Sequence, residues 1–322
     1  MKIVYMGTSE FAVPALLALA ERGEEVALAV TQPDKARGRG GRILPTPVKK
    51  AAAGAGIPTS EPERLRDNAD FLAALAKIAP DLIVAASYGK ILPKEILVLP
   101  RLGCVNIHAS LLPKYRGAAP VRWAIADGEE ETGVTLIYMG EGLDDGDMIA
   151  RRSIPVGESD AGELTGRLAA LGAELLIEQL PAIADGSARG VPQEEALATY
   201  ARKIEKEDAH IDLRDDALTA IRRIRAMNPE PGAFVLQGDT RIKIVKAHAV
   251  GAGPCAGFSE AGSETRRGAA PGEILSVSAE GLAVQTGDGT LVIDVVGMPG
   301  KRAMSIADYL RGNRIDETRP LR

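Results

Sequence analysis

A thirteen-residue stretch in the first half of the chain holds side chains that can polarise a carbonyl group. In VNIHASLLPKYRG (105–117), Asn106 and His108 lie two positions apart, and His108 is one of only three histidines in 322 residues. Side chains alternate between the two faces of a strand, so these two would project from the same face. Both can donate a hydrogen bond to one carbonyl oxygen. A buried histidine that is satisfied by the neighbouring amide is the alternative without a function.

A second stretch supplies carboxylates. GEGLDDGDM (140–148) carries Asp144, Asp145 and Asp147 among glycines that let the backbone turn sharply. A carboxylate beside His108 would orient the imidazole and favour its protonated form. The residues alone do not choose among the three aspartates, although a solvated acidic turn is the better interpretation for Asp145 and Asp147. Calcium-loop spacing is absent and one nearby histidine is too few for zinc, so we expect no metal.

A basic stretch follows the second strand-like run. QPDKARGRGGRILPTPVKK (32–50) has six basic residues after Asp34 and no further acid, and its glycines and prolines argue against a stable helix. We therefore expect a flexible basic loop at the ligand-binding edge of a sheet, where it would contact phosphates. A solvated loop without a ligand is the alternative.

Other chemistries fit these residues less well. GTSEFA lacks the glycines of a dinucleotide fingerprint, and the chain contains neither a phosphate-loop motif nor a G-x-S-x-G elbow. Ser110 and His108 do not make a nucleophilic triad by themselves. Two cysteines are too few for a disulfide framework. The net charge of −5 argues against indiscriminate nucleic-acid binding but leaves room for a local basic patch.

Strands and helices alternate through the first half of the chain. Apolar, β-branched runs at 2–7, 25–31, 81–87, 103–109 and 133–139 predict strands that are covered on both faces. With helices between them, they predict an α/β fold with a doubly wound, mostly parallel sheet of Rossmann-like type. Ligands collect at the carboxyl ends of such strands, where Asn106 and His108 would lie. A long helix is expected over 161–184.

The pattern changes in the second half of the chain. Periodicity weakens over 189–206, which predicts a linker between a catalytic domain at 1–188 and a second domain at 207–322. Short strands separated by turns predict a small β-barrel or sandwich, and 251–272 is expected to be a mobile surface loop. MKIVYMGTSEFA turns polar after a short apolar stretch, unlike a secretory signal, and no apolar run reaches about 18 residues. We therefore expect a cytoplasmic protein without a membrane segment.

The chain resembles the methionyl-tRNA formyltransferases, a branch of the folate-dependent formyltransferase family, nearly from end to end. NIHASLLPKYRGAAP and GVTLIYMGEGLDDGDMI carry the motifs, and GTSEFA, TQPDKARGRG and ASYGKILP match as they stand. The resemblance implies a Rossmann-like formyltransferase domain followed by a smaller OB-like barrel that binds tRNA. It also implies that Asn106, His108 and Asp144 are the catalytic residues.

The same resemblance implies the substrates and the rest of the site. The donor would be 10-formyltetrahydrofolate, and the acceptor would be the α-amino group of the initiator methionyl-tRNA. We expect a monomer that uses no metal. The implied folate contacts are Tyr88, Gly89, Ile91, Ser110, Leu111, Leu112 and Pro113, and the implied tRNA contacts are Arg37, Arg39 and Arg42.

Three other functions remain open at this point. The nearest is formyl transfer to a small amine, such as a sugar nucleotide or glycinamide ribonucleotide, which the basic loop and the second domain disfavour. A non-catalytic RNA-binding protein with an OB-type module is hard to reconcile with an intact set of Asn, His and Asp. A folate-binding hydrolase that releases formate would act equally well without tRNA.

Overall fold

The structure, a computed structural model, describes residues 1–37, 42–251, 268–298 and 302–322. These residues form two units, each compact in itself. The first comprises Met1–Pro120, Glu131–Pro155 and Leu164–Lys203, and the second comprises Val121–Glu130, Val156–Glu163 and Ile204–Arg322. Most of the expected linker is therefore counted with the first unit, and its role as a linker stays a prediction.

The regular elements are numbered in chain order. The strands are β1 Lys2–Gly7, β2 Glu25–Val30, β3 Lys35–Arg37, β4 Arg42–Leu44, β5 Thr59–Ser60, β6 Leu82–Ala86, β7 Cys104–His108, β8 Arg116–Gly117, β9 Glu131–Tyr138, β10 Met148–Pro155, β11 Tyr200–Ala201, β12 Phe234–Gln237, β13 Thr240–Val250, β14 Ile274–Val277, β15 Leu282–Gln285, β16 Thr290–Gly297 and β17 Met304–Ser305. The helices are α1 Val13–Glu21, α2 Pro47–Gly54, α3 Ala69–Ile78, α4 Lys94–Leu97, α5 Pro120–Ala126, α6 Ala161–Ala184, α7 Ala217–Met227 and α8 Ile306–Leu310.

Within the described residues, the first unit holds a seven-stranded sheet of order β10-β9-β7-β6-β1-β2-β5. Five neighbouring strands are parallel to one another, in the order β7-β6-β1-β2-β5. β9 runs antiparallel to β7, and β10 runs antiparallel to β9. β6 is buried along its whole length, as expected of a strand in the middle of a sheet covered on both faces. The predicted α/β fold with a mostly parallel sheet is confirmed.

The basic stretch is more regular than the sequence suggests. β3 and β4 pair as an antiparallel hairpin, and α2 begins at Pro47. The Thr46 side chain caps α2 by accepting a hydrogen bond from the Lys49 backbone N–H at 3.1 Å. The expectation of a loop without helix is therefore wrong at these residues, because a proline in the first turn of a helix lacks only an N–H that has no partner there.

Two of the regions discussed from sequence lie partly or wholly outside the described residues. Arg39, between β3 and β4, lies outside the described residues. Most of the expected surface loop 251–272 lies outside them as well.

Helix α6 packs closely behind the strand that carries Asn106 and His108. Gly172 of α6 lies against Ile107 of β7 and Val134 of β9, and a Cβ atom at position 172 would be 2.7 Å from Ile107 Cγ2. Ile107 is buried and, by strand alternation, points away from the face of its two neighbours. The close approach of α6 therefore holds β7 in place from the face opposite Asn106 and His108.

Gly172→Ala is expected to destabilise the protein by about 1–3 kcal/mol, because the added methyl group overpacks this contact. The matched control is Gly166→Ala on the same helix, where an added Cβ would meet nothing within 4 Å. That change should instead stabilise by about 0.5–1 kcal/mol through helix propensity. Urea midpoints measure both effects. A Gly172→Ala midpoint at or above that of the wild type would contradict the packing.

The described part of the second unit contains an antiparallel sheet of order β12-β13-β16-β15-β14, with β17 paired to β16. Alternate residues of its strands are buried, among them Leu282, Val284, Leu291 and Ile293. This all-antiparallel sheet confirms the smaller OB-like β domain predicted for the second half. In the described ranges, no helix combines the length and apolar character needed to cross a bilayer.

Candidate active site

Asn106 and His108 lie on one face of β7, as strand alternation predicts. His108 is only 5% exposed, and Asn106 is partly exposed. Cys104 shares this face, and burial raises the pKa of its thiol to about 12. The thiol therefore stays protonated at neutral pH and is not an available nucleophile.

The Asp144 carboxylate joins the amide and the imidazole. Its Oδ1 accepts a hydrogen bond from Asn106 Nδ2 at 3.4 Å, and its Oδ2 lies 3.5 Å from His108 Nδ1. The backbone N–H of Gly117 donates to Oδ2 at 2.9 Å. The side chain is 15% exposed, so part of the carboxylate remains open to solvent. The structure thus brings together three side chains from two separate parts of the chain.

The other two aspartates of the loop point elsewhere. Asp145 and Asp147 are exposed. The Asp145 carboxylate lies over Gly142 of its own loop, and Asp147 lies against Gly190. The residue types left three candidates open, and it is Asp144 that reaches Asn106 and His108. Among the described residues, no group of three or more His, Cys, Asp or Glu side chains is arranged to hold a metal ion.

Asp144 reaches the site by a route that a parallel sheet does not predict. Because β9 runs antiparallel to β7, its last residue, Tyr138, pairs with Val105 near the start of β7. The β9–β10 loop must therefore fold back over the face of β7 to bring the carboxylate to His108. Asp144 has a backbone φ of +53°, a left-handed conformation that aspartate tolerates better than most residues do.

Both ring nitrogens of His108 face oxygen acceptors. Nε2 lies 2.9 Å from the Tyr115 carbonyl oxygen, and Nδ1 lies beside the Asp144 carboxylate. A carbonyl and a carboxylate can only accept, so a ring nitrogen that carries hydrogen donates to the oxygen it faces. Negative charge that develops on a carbonyl oxygen here would meet the amide N–H of Asn106 as a donor, with the imidazole beside it.

Two family descriptions match this chain. Residues 1–180 match the family described as "Formyl transferase", and residues 203–314 match "Formyl transferase, C-terminal domain". The chain belongs to the formyl transferase family.

Curated relatives of this formyl transferase cover nearly the whole chain. The methionyl-tRNA formyltransferase of Caldanaerobacter subterraneus subsp. tengcongensis is 45% identical over 318 residues, which are 98% of each chain. That of Pelotomaculum thermopropionicum is 42% identical over 318 residues, covering 98% of this chain and 97% of the relative. The resemblance to the methionyl-tRNA formyltransferases is confirmed.

Solved structures share the fold of this formyl transferase at low sequence identity. WlaRD, a sugar 3N-formyl transferase solved in the presence of dTDP and 5-N-formyl-THF, has a TM-score of 0.65 at 19% identity and covers 94% of this chain and 99% of its own. HypX from Aquifex aeolicus in complex with tetrahydrofolic acid has a TM-score of 0.60 at 22% identity, covering 96% of this chain and 47% of its own. At these identities the similarity shows the fold alone.

Four expected folate contacts of the formyl transferase follow β7. Ser110, Leu112 and Pro113 are buried, and the Ser110 hydroxyl donates to the Lys114 carbonyl at 2.6 Å. Leu111 is partly exposed. Of these four side chains, Leu111 is therefore the one with the most surface for a ligand, and the others would act by shaping the backbone around it.

The remaining three expected folate contacts follow β6. The Tyr88 side chain packs in the core, and burial raises its pKa to about 12. Its carbonyl accepts hydrogen bonds from the Thr8 hydroxyl and the Gln32 side-chain amide. Gly89 is exposed and Ile91 is 69% exposed. The loop therefore presents backbone and one large apolar side chain, which together suit a flat, polar-edged ring.

The basic stretch of the formyl transferase is partly neutralised. Lys49 forms ion pairs with Asp34 and Glu61, each at 2.7 Å. The hydrogen bonds to Asp34 and then Glu61 raise the pKa of Lys49. Arg37 and Arg42 are a backbone pair of the β3–β4 hairpin, and their expected role stays a prediction, as does that of Arg39.

Sequence reasoning missed several groups that surround the formyl transferase site. The Gly117 N–H and the Tyr115 carbonyl are backbone groups, so residue type gives no signal for them. Gln193 was treated as part of a linker, yet its side-chain amide contacts the Asp144 loop. Weak periodicity marks such a segment as irregular, but it does not tell where the segment packs.

Proposed function

We propose that this formyl transferase moves the formyl group of 10-formyltetrahydrofolate to the α-amino group of the initiator methionyl-tRNA, as a monomer without a metal. Catalysis is assigned to the first unit, and tRNA binding to the second unit and to the basic stretch of the first. The proposal is supported by relatives of that name, 42% and 45% identical over 98% of the chain. The observation that carries it is the Asp144 carboxylate within 3.5 Å of both Asn106 and His108.

The amine is the nucleophile, so no nucleophilic side chain is required. Its lone pair forms a bond to the formyl carbon, and the carbonyl electron pair moves to oxygen. When the carbonyl re-forms, the bond from the formyl carbon to the donor nitrogen breaks and that electron pair returns to nitrogen. The amine loses one proton and the donor nitrogen gains one, so the transfer balances without an oxidant or a reductant.

Each side chain of the cluster has a distinct part in this reaction. Asn106 donates a hydrogen bond from Nδ2 to the developing oxyanion. One such donor commonly lowers the activation barrier by about 3–4 kcal/mol. His108 adds a second donor, and for this its Nε2 hydrogen leaves the Tyr115 carbonyl to reach the oxyanion. Asp144 holds the ring in place and accepts the proton of the amine, directly or through water.

The folate contacts belong to the same proposal. Gly89, Ile91 and Leu111 would contact the folate that carries the formyl group, because they are the more exposed residues of the loops that follow β6 and β7. Tyr88, Ser110, Leu112 and Pro113 would support those loops from behind.

The acceptor is tested by comparing initial rates of formyl transfer with one donor and three acceptors. Methionyl-tRNA should be used with a kcat/KM at least 10³-fold above that for an amino-sugar nucleotide or for glycinamide ribonucleotide. A preference for either small amine would move the chain to another branch of the family. Formate release at an equal rate without any amine would point to a hydrolase.

Replacing Arg37, Arg39 and Arg42 by alanine is expected to weaken the use of tRNA while leaving folate binding unchanged. Each lost phosphate contact should lower the slope of log K against log salt concentration for tRNA binding by about one unit. Filter binding across a salt series measures the slope, with the exposed Arg189→Ala as the matched control. An unchanged slope would mean that these arginines do not contact tRNA and that the basic stretch is solvated surface. A loss of folate affinity would instead place them at the folate site.

A further inference from the structure

The segment 191–201 lies along the candidate site of the first unit. At one end, Val191 forms a bridge with Met148, the first residue after the Asp144 loop. At the other end, β11 pairs with β8, whose Gly117 N–H donates to Asp144. The segment is therefore fixed to both loops that form the site, through its own backbone.

Gln193 of this segment connects the two loops through its side chain. Its Nε2 donates to the carbonyl oxygens of Asp144 at 2.7 Å and of Gly146 at 2.8 Å. Its Oε1 accepts a hydrogen bond from Arg116 Nε at 3.1 Å. The Gln193 amide thus donates to the loop that carries Asp144 and accepts from Arg116, in the segment that follows His108.

Arg116 makes this connection rigid. The residue is only 2% exposed, and its guanidinium binds Glu195 through Nη1 at 3.1 Å and Nη2 at 2.9 Å. Because a guanidinium can only donate, Arg116 holds the Gln193 amide with its oxygen toward Arg116 and its nitrogen toward the two carbonyls. Gln193 therefore presents its amide hydrogens to Asp144 and Gly146 in a fixed direction.

Gln193 binds the carbonyl of Asp144 itself, which has a left-handed φ of +53°, and the carbonyl of Gly146 two residues later. A residue in this conformation keeps it only where its surroundings hold it. We infer that Gln193 is a positioning residue for formyl transfer. Its side chain fixes the turn at Asp144, so that the carboxylate stays beside Asn106 and His108. This inference rests on the proposed role of Asp144.

Gln193→Glu separates the two functions of the side chain. The carboxylate keeps the shape and still accepts from Arg116, but it cannot donate to Asp144 and Gly146 and repels their carbonyls. We expect kcat to fall at least tenfold, because small displacements of a reacting group are costly. KM for methionyl-tRNA and Kd for folate should change less than threefold. The control is Glu194→Gln, the exposed neighbour, which should leave all three values unchanged.

A double-mutant cycle with Asp144→Asn tests whether Gln193 acts through Asp144. If it does, Gln193→Glu should change kcat less than twofold in the Asp144→Asn background. A merely structural role would cost the same factor in both backgrounds and would overturn the inference, as would an unchanged kcat for Gln193→Glu alone.

A readout that does not depend on activity distinguishes this inference from the proposed function. The amide of Gly117 donates to Asp144 Oδ2, so its NMR chemical shift and hydrogen-exchange protection report where the carboxylate lies. Both should change in Gln193→Glu and not in Glu194→Gln. An unchanged Gly117 amide overturns the positioning role itself. A changed amide with normal kcat overturns the proposed role of Asp144, and the inference with it.

Discussion

Asp144→Asn is expected to lower kcat for formyl transfer to methionyl-tRNA by about 10³-fold, with the protein still folded. Asparagine keeps the shape of aspartate, and its Oδ1 can still accept the Gly117 N–H. In the proposed mechanism it loses the negative charge that holds the His108 ring and would accept the proton of the amine. It also adds an N–H donor in a place where Asn106 and His108 both offer donors. Steady-state kinetics and a thermal melt measure the two parts of the prediction.

The matched control is Asp145→Asn, the same chemical change one residue along the loop. Asp145 is exposed and lies over Gly142, away from the cluster, so its loss should change kcat less than threefold. Equal effects of the two substitutions, or the reverse order, would contradict the assignment of Asp144.

His108→Ala is expected to lower kcat by about 10²-fold or more, on the scale of a lost oxyanion donor. The effect should appear in kcat and leave Kd for folate within threefold, because the ring acts on the charge that develops during the transfer. His108→Gln serves as a second variant, since it fills more of the space than alanine does and can donate to the Tyr115 carbonyl. We expect it to remain strongly impaired, because one amide cannot reproduce the ring contacts with both Tyr115 and Asp144.

The control for His108 is His248→Ala in the second unit. His248 is half-exposed on β13 and pairs with Asp294 at 3.0 Å. We expect turnover within twofold of the wild type. A folded His108→Ala protein with near-normal turnover would remove the imidazole from the mechanism.

Strand alternation was enough to predict that Asn106 and His108 share a face, because the period of two holds for any strand. Residue type and position did not select Asp144, for which the resemblance was needed. Its place depends on β9 running antiparallel to β7 and on a backbone N–H, neither of which the local sequence reveals.

The elements that were predicted well are the long and strongly patterned ones. The helix expected over 161–184 is α6, Ala161–Ala184. β10 was missed because it is an edge strand whose exposed positions carry polar residues such as Arg151, so its sequence resembles that of a loop.

The basic stretch was misjudged for two physical reasons. Pro47 opens α2 rather than preventing it, since a proline is tolerated in the first turn of a helix. Lys49 is one of the six basic residues of the stretch, and its second partner, Glu61, is distant in sequence and comes close only in the folded chain.

The most direct test of the account is a single-turnover experiment with excess enzyme, methionyl-tRNA and a donor that carries a radiolabelled formyl group. The account predicts that the label appears on the α-amino group of the methionyl residue and that Asp144→Asn slows this step by about 10³-fold with normal folate binding. Label released as formate, or transfer at the wild-type rate in Asp144→Asn, would contradict it.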